Sequence, residues 1–104
     1  MRIGSFEVPL DEVRQYCEHW LISDLALFGS VLREDFRPDS DVDVLVRFQP
    51  GAPWSLFDLY RAELELGKIF GRRADISEWQ CVENSKNPEF RRAALRDVRQ
   101  IYVA

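Results

Sequence analysis

The stretch from Leu25 to Phe48, LALFGSVLREDFRPDSDVDVLVRF, constrains the fold more than any other part of the chain. One apolar run, Leu25 to Phe28, meets Gly29-Ser30 at once, and a second, Val42 to Phe48, opens with Asp41 and Asp43. Runs this apolar are predicted to be strands with at least one buried face. Strand side chains alternate between faces, so Asp41 and Asp43 project to the same side of the head of the second strand. Two like charges this close repel, a cost that a fold keeps only if something offsets it.

The flanking sequence supplies helices to cover such a sheet. Pro9 predicts a helix start, with Leu10, Val13, Cys17, Trp20 and Leu21 at helical spacing until Ser23-Asp24 ends it. Residues 30 to 35 are predicted as a short helix leaving the Gly-Ser turn, and Arg37-Pro38-Asp39-Ser40 as loop. Gln49 to Pro53 is the most flexible connection. Ser55 and Asp58 then resemble a helix cap, and Leu56, Leu59, Tyr60, Leu66, Ile69 and Phe70 form the apolar face of the longest helix, which Gly71 stops. Arg73 to Trp79 is predicted as a third strand carrying Asp75. Pro88 to about Asp97 reads as a helix with Phe90, Ala93 and Ala94 inward, and Ile101 to Val103 as a short edge strand. The sum is an α+β fold, a mixed sheet of three to four strands backed by helices.

At 104 residues the chain can close one core, so residues 1–104 are predicted to form a single domain. Its net charge of -4 argues against broad nucleic-acid binding, which depends on cationic side chains displacing counterions. Twelve of the fourteen basic residues are Arg, the residue suited to planar recognition of phosphate or carboxylate, although each is as readily a solvated helix partner. Cys17 and Cys81 form neither a disulfide framework nor a CxxC site. The N-terminus lacks a signal-peptide pattern and no segment has the length of a membrane span, so the expectation is a soluble, cytoplasmic protein.

Few, hard oxygen ligands with room for water and phosphate point to Mg²⁺. Asp39 to Asp43 imitates the opening of a calcium loop, but Val44 stands where its turn glycine is required and Pro50 where its closing Glu is required. Gly29 permits close backbone approach to a phosphate, Ser30 adds a hydroxyl, and Arg33 could reach the same anion. His19, remote in sequence from every acid, is given no catalytic role. Ser77 and Ser85 show no base partner, so triad chemistry has no support.

Gly29-Ser30, ten intervening residues, Asp41-x-Asp43, and a single Asp75 on a following strand resemble the signature of the DNA polymerase β-like nucleotidyltransferase superfamily. The run GSVLREDFRPDSDVDVLV is similar to its minimal nucleotidyltransferase branch. The resemblance covers the chain from about Leu25 to its end. It implies a polymerase β-like nucleotidyltransferase core in which Asp41, Asp43 and Asp75 hold two Mg²⁺ ions and Gly29, Ser30, Arg33 and Ser40 bind ATP. Relatives of this branch are commonly encoded beside a HEPN-domain ribonuclease and act as its antitoxin. The implied activity is transfer of AMP to a hydroxyl of that toxin, a tyrosine above all.

Three readings follow. The first is catalytic adenylylation of a partner, whose surface would complete an acceptor pocket too large for 104 residues to build. The second is stoichiometric neutralisation, with Arg91, Arg92, Arg96 and exposed Trp54 and Trp79 as candidate contacts. The third, transfer to a small molecule, lacks the second domain that would form its pocket.

Overall fold

A computed structural model describes residues 1–33, 37 and 39–104, with Ala94 described by its backbone alone. The chain begins with a small antiparallel hairpin, β1 (Arg2–Ile3) and β2 (Phe6–Glu7), which the sequence reading did not anticipate. Then come α1 (Leu10–His19), β3 (Ile22–Phe28), a 3-10 turn (Gly29–Leu32), β4 (Val42–Phe48) and α2 (Leu56–Phe70). The last elements are β5 (Ala74–Glu78), α3 (Trp79–Glu83), α4 (Pro88–Arg96) and β6 (Val98–Val103). Four strands make one mixed sheet in the order β5-β4-β3-β6. β3 pairs antiparallel with β4 and β6, while β4 and β5 run parallel and are joined by the α2 crossover.

Alternation along the strands divides the sheet's surroundings into two cores. Leu25, Leu27, Val42, Val44, Val46 and Ala74 join Val13, Tyr16 and Cys17 of α1 and Ala62, Leu66 and Phe70 of α2 in the main core. Ala26, Leu45 and Val82 form a smaller cluster on the other face, with Trp79, Leu95 and Val98 packed against it. The two helices of the main core are tied by the Tyr16 hydroxyl, which donates to the Ala62 carbonyl at 2.8 Å. Burial pushes the Cys17 thiol up to about 12, so it behaves as a core group.

α2 begins as predicted. The Ser55 side chain accepts from the Asp58 backbone and the Asp58 carboxylate accepts from the Ser55 N–H, and Gly71 ends the helix at φ 70°. Trp54 is half-buried: its indole donates to the Trp20 carbonyl at 2.7 Å, and the two rings meet edge-on at 4.8 Å. At the far side of the sheet, Glu63 of α2 accepts from the Ile76 N–H at 2.9 Å, occupying part of the free edge of β5.

Several expectations are corrected. Ser23 and Asp24 lie inside β3, because Ser23 donates to the Arg47 carbonyl at 3.0 Å and Asp24 pairs with the Arg47 guanidinium at 3.4 Å; cross-strand partners replace turn chemistry. Trp79 starts a short helix, half-buried with Arg47 over its ring, where the strand was expected to run through it. Leu56 and Tyr60 are exposed, whereas Leu66 and Phe70 turn inward as expected and are joined by Ala62, with Leu59 and Ile69 half-buried. In α4, Phe90 and Ala93 are exposed while Arg91 and Leu95, four apart, are half-buried, so the inward stripe is rotated from the expected one. The expected inward Ala94 side chain, the 34–35 end of the expected short helix, and Pro38 lie outside the described residues. β6 starts at Val98, three residues earlier than predicted, because an edge strand accommodates exposed Arg99 and Gln100. No helix among the described residues is long and apolar enough to cross a membrane.

Leu66 and Leu64 sit on opposite faces of α2, one fully buried and one exposed. Leu66→Ala should lower unfolding free energy by about 2–5 kcal/mol, and Leu64→Ala by less than about 0.5 kcal/mol, as read by urea denaturation.

Candidate active site

Two strand pairings bring the acids together. The antiparallel register places Phe28, the last residue of β3, beside Asp43, and the parallel register places Asp43 beside Asp75. Residues paired in register share a face, so Asp43 and Asp75 project to the side of the smaller core, and Asp41, two residues earlier, leads onto the same side. Asp41 and Asp75 are exposed; Asp43, between them, is half-buried. Its pKa is raised, first by burial and then by the charges of Asp75 and Asp41.

Gly29 follows β3 directly and adopts φ +76°, a left-handed conformation that strains any residue with a Cβ. A Cβ there would also lie 2.6 Å from Asp43 Oδ2. The group that needs the bare backbone is thus the central carboxylate, where the sequence pattern points only to a phosphate. The expected helix after Ser30 is a single 3-10 turn: the Arg33 N–H donates to the Ser30 carbonyl at 3.0 Å and Arg33 itself is extended. One turn aligns too few peptide groups for a helix dipole to contribute, so any anion there is held by local donors.

On the other side of Gly29 opens a cleft of about 560 Å³, within the range of small-molecule sites. Gly29, Ser30 and Arg33 line it together with Gly4 from the N-terminal hairpin and Val98 and Arg99 from β6. The three acids are not among its walls; Gly29 is the junction between cleft and carboxylates. Ser40 is half-buried next to Asp41, its N–H donating to the Arg37 carbonyl at 3.1 Å. His19 stands apart, edge-on to Trp20 at 5.2 Å.

Two supports went unread in the sequence. Gly4, at φ +57°, would with a Cβ lie 3.0 Å from the Arg33 carbonyl and 3.3 Å from that of Val31, so the hairpin is seated on the turn that carries Ser30. The signal was Gly4-Ser5 between apolar Ile3 and Phe6, a hairpin pattern too short to stand out. The other support is Arg72, which donates to the Arg37 carbonyl at 2.8 Å, while the Val42 N–H donates to the Arg73 carbonyl at 2.9 Å. Together they fasten the segment leading into Asp41 to the end of α2.

Among the described residues, no group of three or more His, Cys, Asp or Glu is gathered closely enough to hold a metal ion. The donor chemistry nevertheless fits Mg²⁺: all candidate ligands are carboxylate oxygens, and a dication would relieve the repulsion that adds to burial in raising the Asp43 pKa.

A nucleotidyltransferase domain model matches residues 10–101, from the start of α1 into β6. The chain belongs to the nucleotidyltransferase domain family. A solved structure described as a minimal nucleotidyltransferase is 32% identical, with a TM-score of 0.62 over 86% of this chain and 85% of that one. Two provisionally named protein adenylyltransferases of Methanocaldococcus jannaschii are also similar. MJ0435 is 35% identical over 55% of this chain, and MJ1217 is 30% identical over 64%. The matches span 59% and 66% of those relatives' lengths. A crystal structure of a toxin-antitoxin with AMP-PNP shares the fold, at a TM-score of 0.69 and 11% identity over 93% of this chain and 75% of that one. The mixed sheet of this nucleotidyltransferase-family chain is thus the expected α+β architecture.

Between the ordinary carboxylate pKa and the raised value of Asp43, the native protein binds more protons than the unfolded one, so stability falls as pH rises through that window. In metal-free buffer Asp43→Asn should therefore raise Tm at neutral pH. The difference from the unmodified protein should shrink as pH falls through the window, as followed by thermal melts at stepped pH.

Proposed function

We propose that this chain is a Mg²⁺-dependent protein adenylyltransferase that moves AMP from ATP to a hydroxyl of a partner protein. The proposed acceptor is a tyrosine of a HEPN-type toxin, for which the chain would serve as antitoxin. The observation that carries the reading is the row formed by Gly29, Asp43 and Asp75, in which a bare backbone position adjoins two register-paired carboxylates. Membership of the nucleotidyltransferase family, the names of the two archaeal relatives and the fold shared with a toxin-antitoxin structure support the same direction.

In this reading Asp41, Asp43 and Asp75 hold two Mg²⁺ ions, which supply charge neutralisation to the triphosphate and lower the cost of ionising the acceptor. The Gly29 backbone and the Ser30 hydroxyl hold the β and γ phosphates, with Arg33 and Ser40 flanking them. Such positioning and electrostatic stabilisation make up most of the catalysis in phosphoryl-group chemistry. The acceptor hydroxyl approaches from solvent, where Asp75 is exposed and can take its proton. A bond forms from the acceptor oxygen to the α-phosphorus, the bond from that phosphorus to the bridging oxygen breaks, and pyrophosphate leaves. Asp43, shielded beneath Gly29, serves as a ligand rather than as a proton acceptor.

The second reading, neutralisation by binding alone, draws on the fold shared with a toxin-antitoxin structure. Transfer from α-labelled ATP to the protein encoded next to this one separates the two. Asp41→Asn and Asp43→Asn should each reduce transfer by more than the roughly 10–100-fold that even outer partners of metal ligands cost, with circular dichroism unchanged. Labelling that persists in either variant would exclude the catalytic assignment. Neutralisation by Asp43→Asn at a one-to-one ratio, without a mass change on the partner, would establish the binding alternative.

A further inference from the structure

Two walls of the cleft beyond Gly29 come from outside the Gly-Ser turn and the aspartate strands. One is the N-terminal hairpin, which precedes the family match at residues 10–101 and reaches the cleft through Ile3 and Gly4. The other is β6, whose register with β3 sets Arg99 beside Leu27 and Val98 beside Phe28. Leu27 belongs to the main core, as do Ile3 and Phe6 of the hairpin, whereas Val98 packs on the smaller cluster. Paired residues share a face, so Arg99 projects to the hairpin's side of the sheet and stands across the cleft from Gly4.

The charged residues lining the cleft are Arg33, Asp97 and Arg99. Asp97 is paired with Arg96 at 3.8 Å, which offsets its charge. Among the described residues the Arg99 guanidinium has no hydrogen bond or ion pair. Along the end of the sheet the order is therefore carboxylates, the bare backbone of Gly29, and then a cleft with two guanidinium groups. A nucleotide whose α-phosphate lies at the aspartates and whose next phosphates pass Gly29 runs its far end into that cleft. Guanidinium groups suit such a chain, since each can donate to two phosphate oxygens at once.

We infer that Arg99 of β6 is a further nucleotide-binding residue, which holds the pyrophosphate end of the nucleotide in the cleft walled by the N-terminal hairpin. The inference rests on the adenylyltransfer reading, which sets the end of the nucleotide that lies at the aspartates. When the bond from the α-phosphorus to the bridging oxygen breaks, its electron pair stays on the departing pyrophosphate. A fixed positive charge at that end stabilises the group as its charge grows. Arg99 lies 58 positions after Asp41 and on the margin of the sheet away from β5, so no local sequence motif connects it with the aspartates.

Isothermal titration calorimetry of the full chain in Mg²⁺ buffer, with ATP, AMP and inorganic pyrophosphate as separate titrants, tests this. Arg99→Gln should weaken ATP and pyrophosphate about tenfold, the scale of one charge-assisted hydrogen bond, and leave AMP unchanged. Arg99→Lys, which keeps the charge but not the fork, should recover part of the loss. Circular dichroism and Tm should not change, because Arg99 is exposed on an edge strand. Equal weakening of ATP and AMP by Arg99→Gln would put the adenosine in the cleft and overturn the inference. Unaltered ATP and pyrophosphate affinity in that variant would overturn it too, and both results leave the adenylyltransfer reading standing. A wild-type chain that takes up neither ATP nor pyrophosphate would overturn both.

Discussion

The parallel pairing of β4 with β5 sets Asp43 against Asp75, and the rest of the structure is arranged around that register. Sliding β4 by one residue would separate the two charges, but would also turn Val42, Val44 and Val46 away from the main core. Those three valines are fully buried. Burying each is worth about 1.5–3 kcal/mol, more than a one-residue slip could recover from partly solvated carboxylates. Hydrophobic alternation therefore enforces an electrostatic conflict, which is what makes a cation useful at this position.

Support for the conflict comes from backbone-level fastening on three sides. Gly29 leaves the space into which the Asp43 carboxylate projects, Arg72 and Arg73 hold the approach to Asp41, and the Gly4 hairpin is seated against the turn bearing Ser30. None of these contacts belongs to the apolar core, yet each fixes the entry or exit of a core strand. The site is thus positioned by strand ends, where a sheet is rigid enough to aim a side chain and open enough to admit a ligand.

The strands that carry the acids were legible in the sequence because alternation and apolar runs are local signals; β4 spans its predicted residues, and the Ser55 to Gly71 helix has the predicted cap and stop. The union of Asp43 with Asp75 was legible only as a family resemblance, since parallel register depends on the packing of a 15-residue crossover helix. The two-residue strands of the hairpin have too few positions to show a period. The inward face of α4 and the Leu56 and Tyr60 positions of α2 differ from expectation for another reason: hydrophobicity marks a stripe but not which stripe meets the sheet, and in α2 a second apolar stripe lies beside the one that carries Leu66 and Phe70. Ser23-Asp24, read as a helix stop, became strand because Arg47 supplies partners across the ladder.

The Glu63 carboxylate bonded to the Ile76 N–H has a consequence for how the sheet can grow. A strand contributed by another molecule would have to displace that carboxylate to dock alongside β5, the margin of the sheet opposite β6. Lateral extension of the sheet is therefore obstructed on the β5 flank, where the aspartates lie.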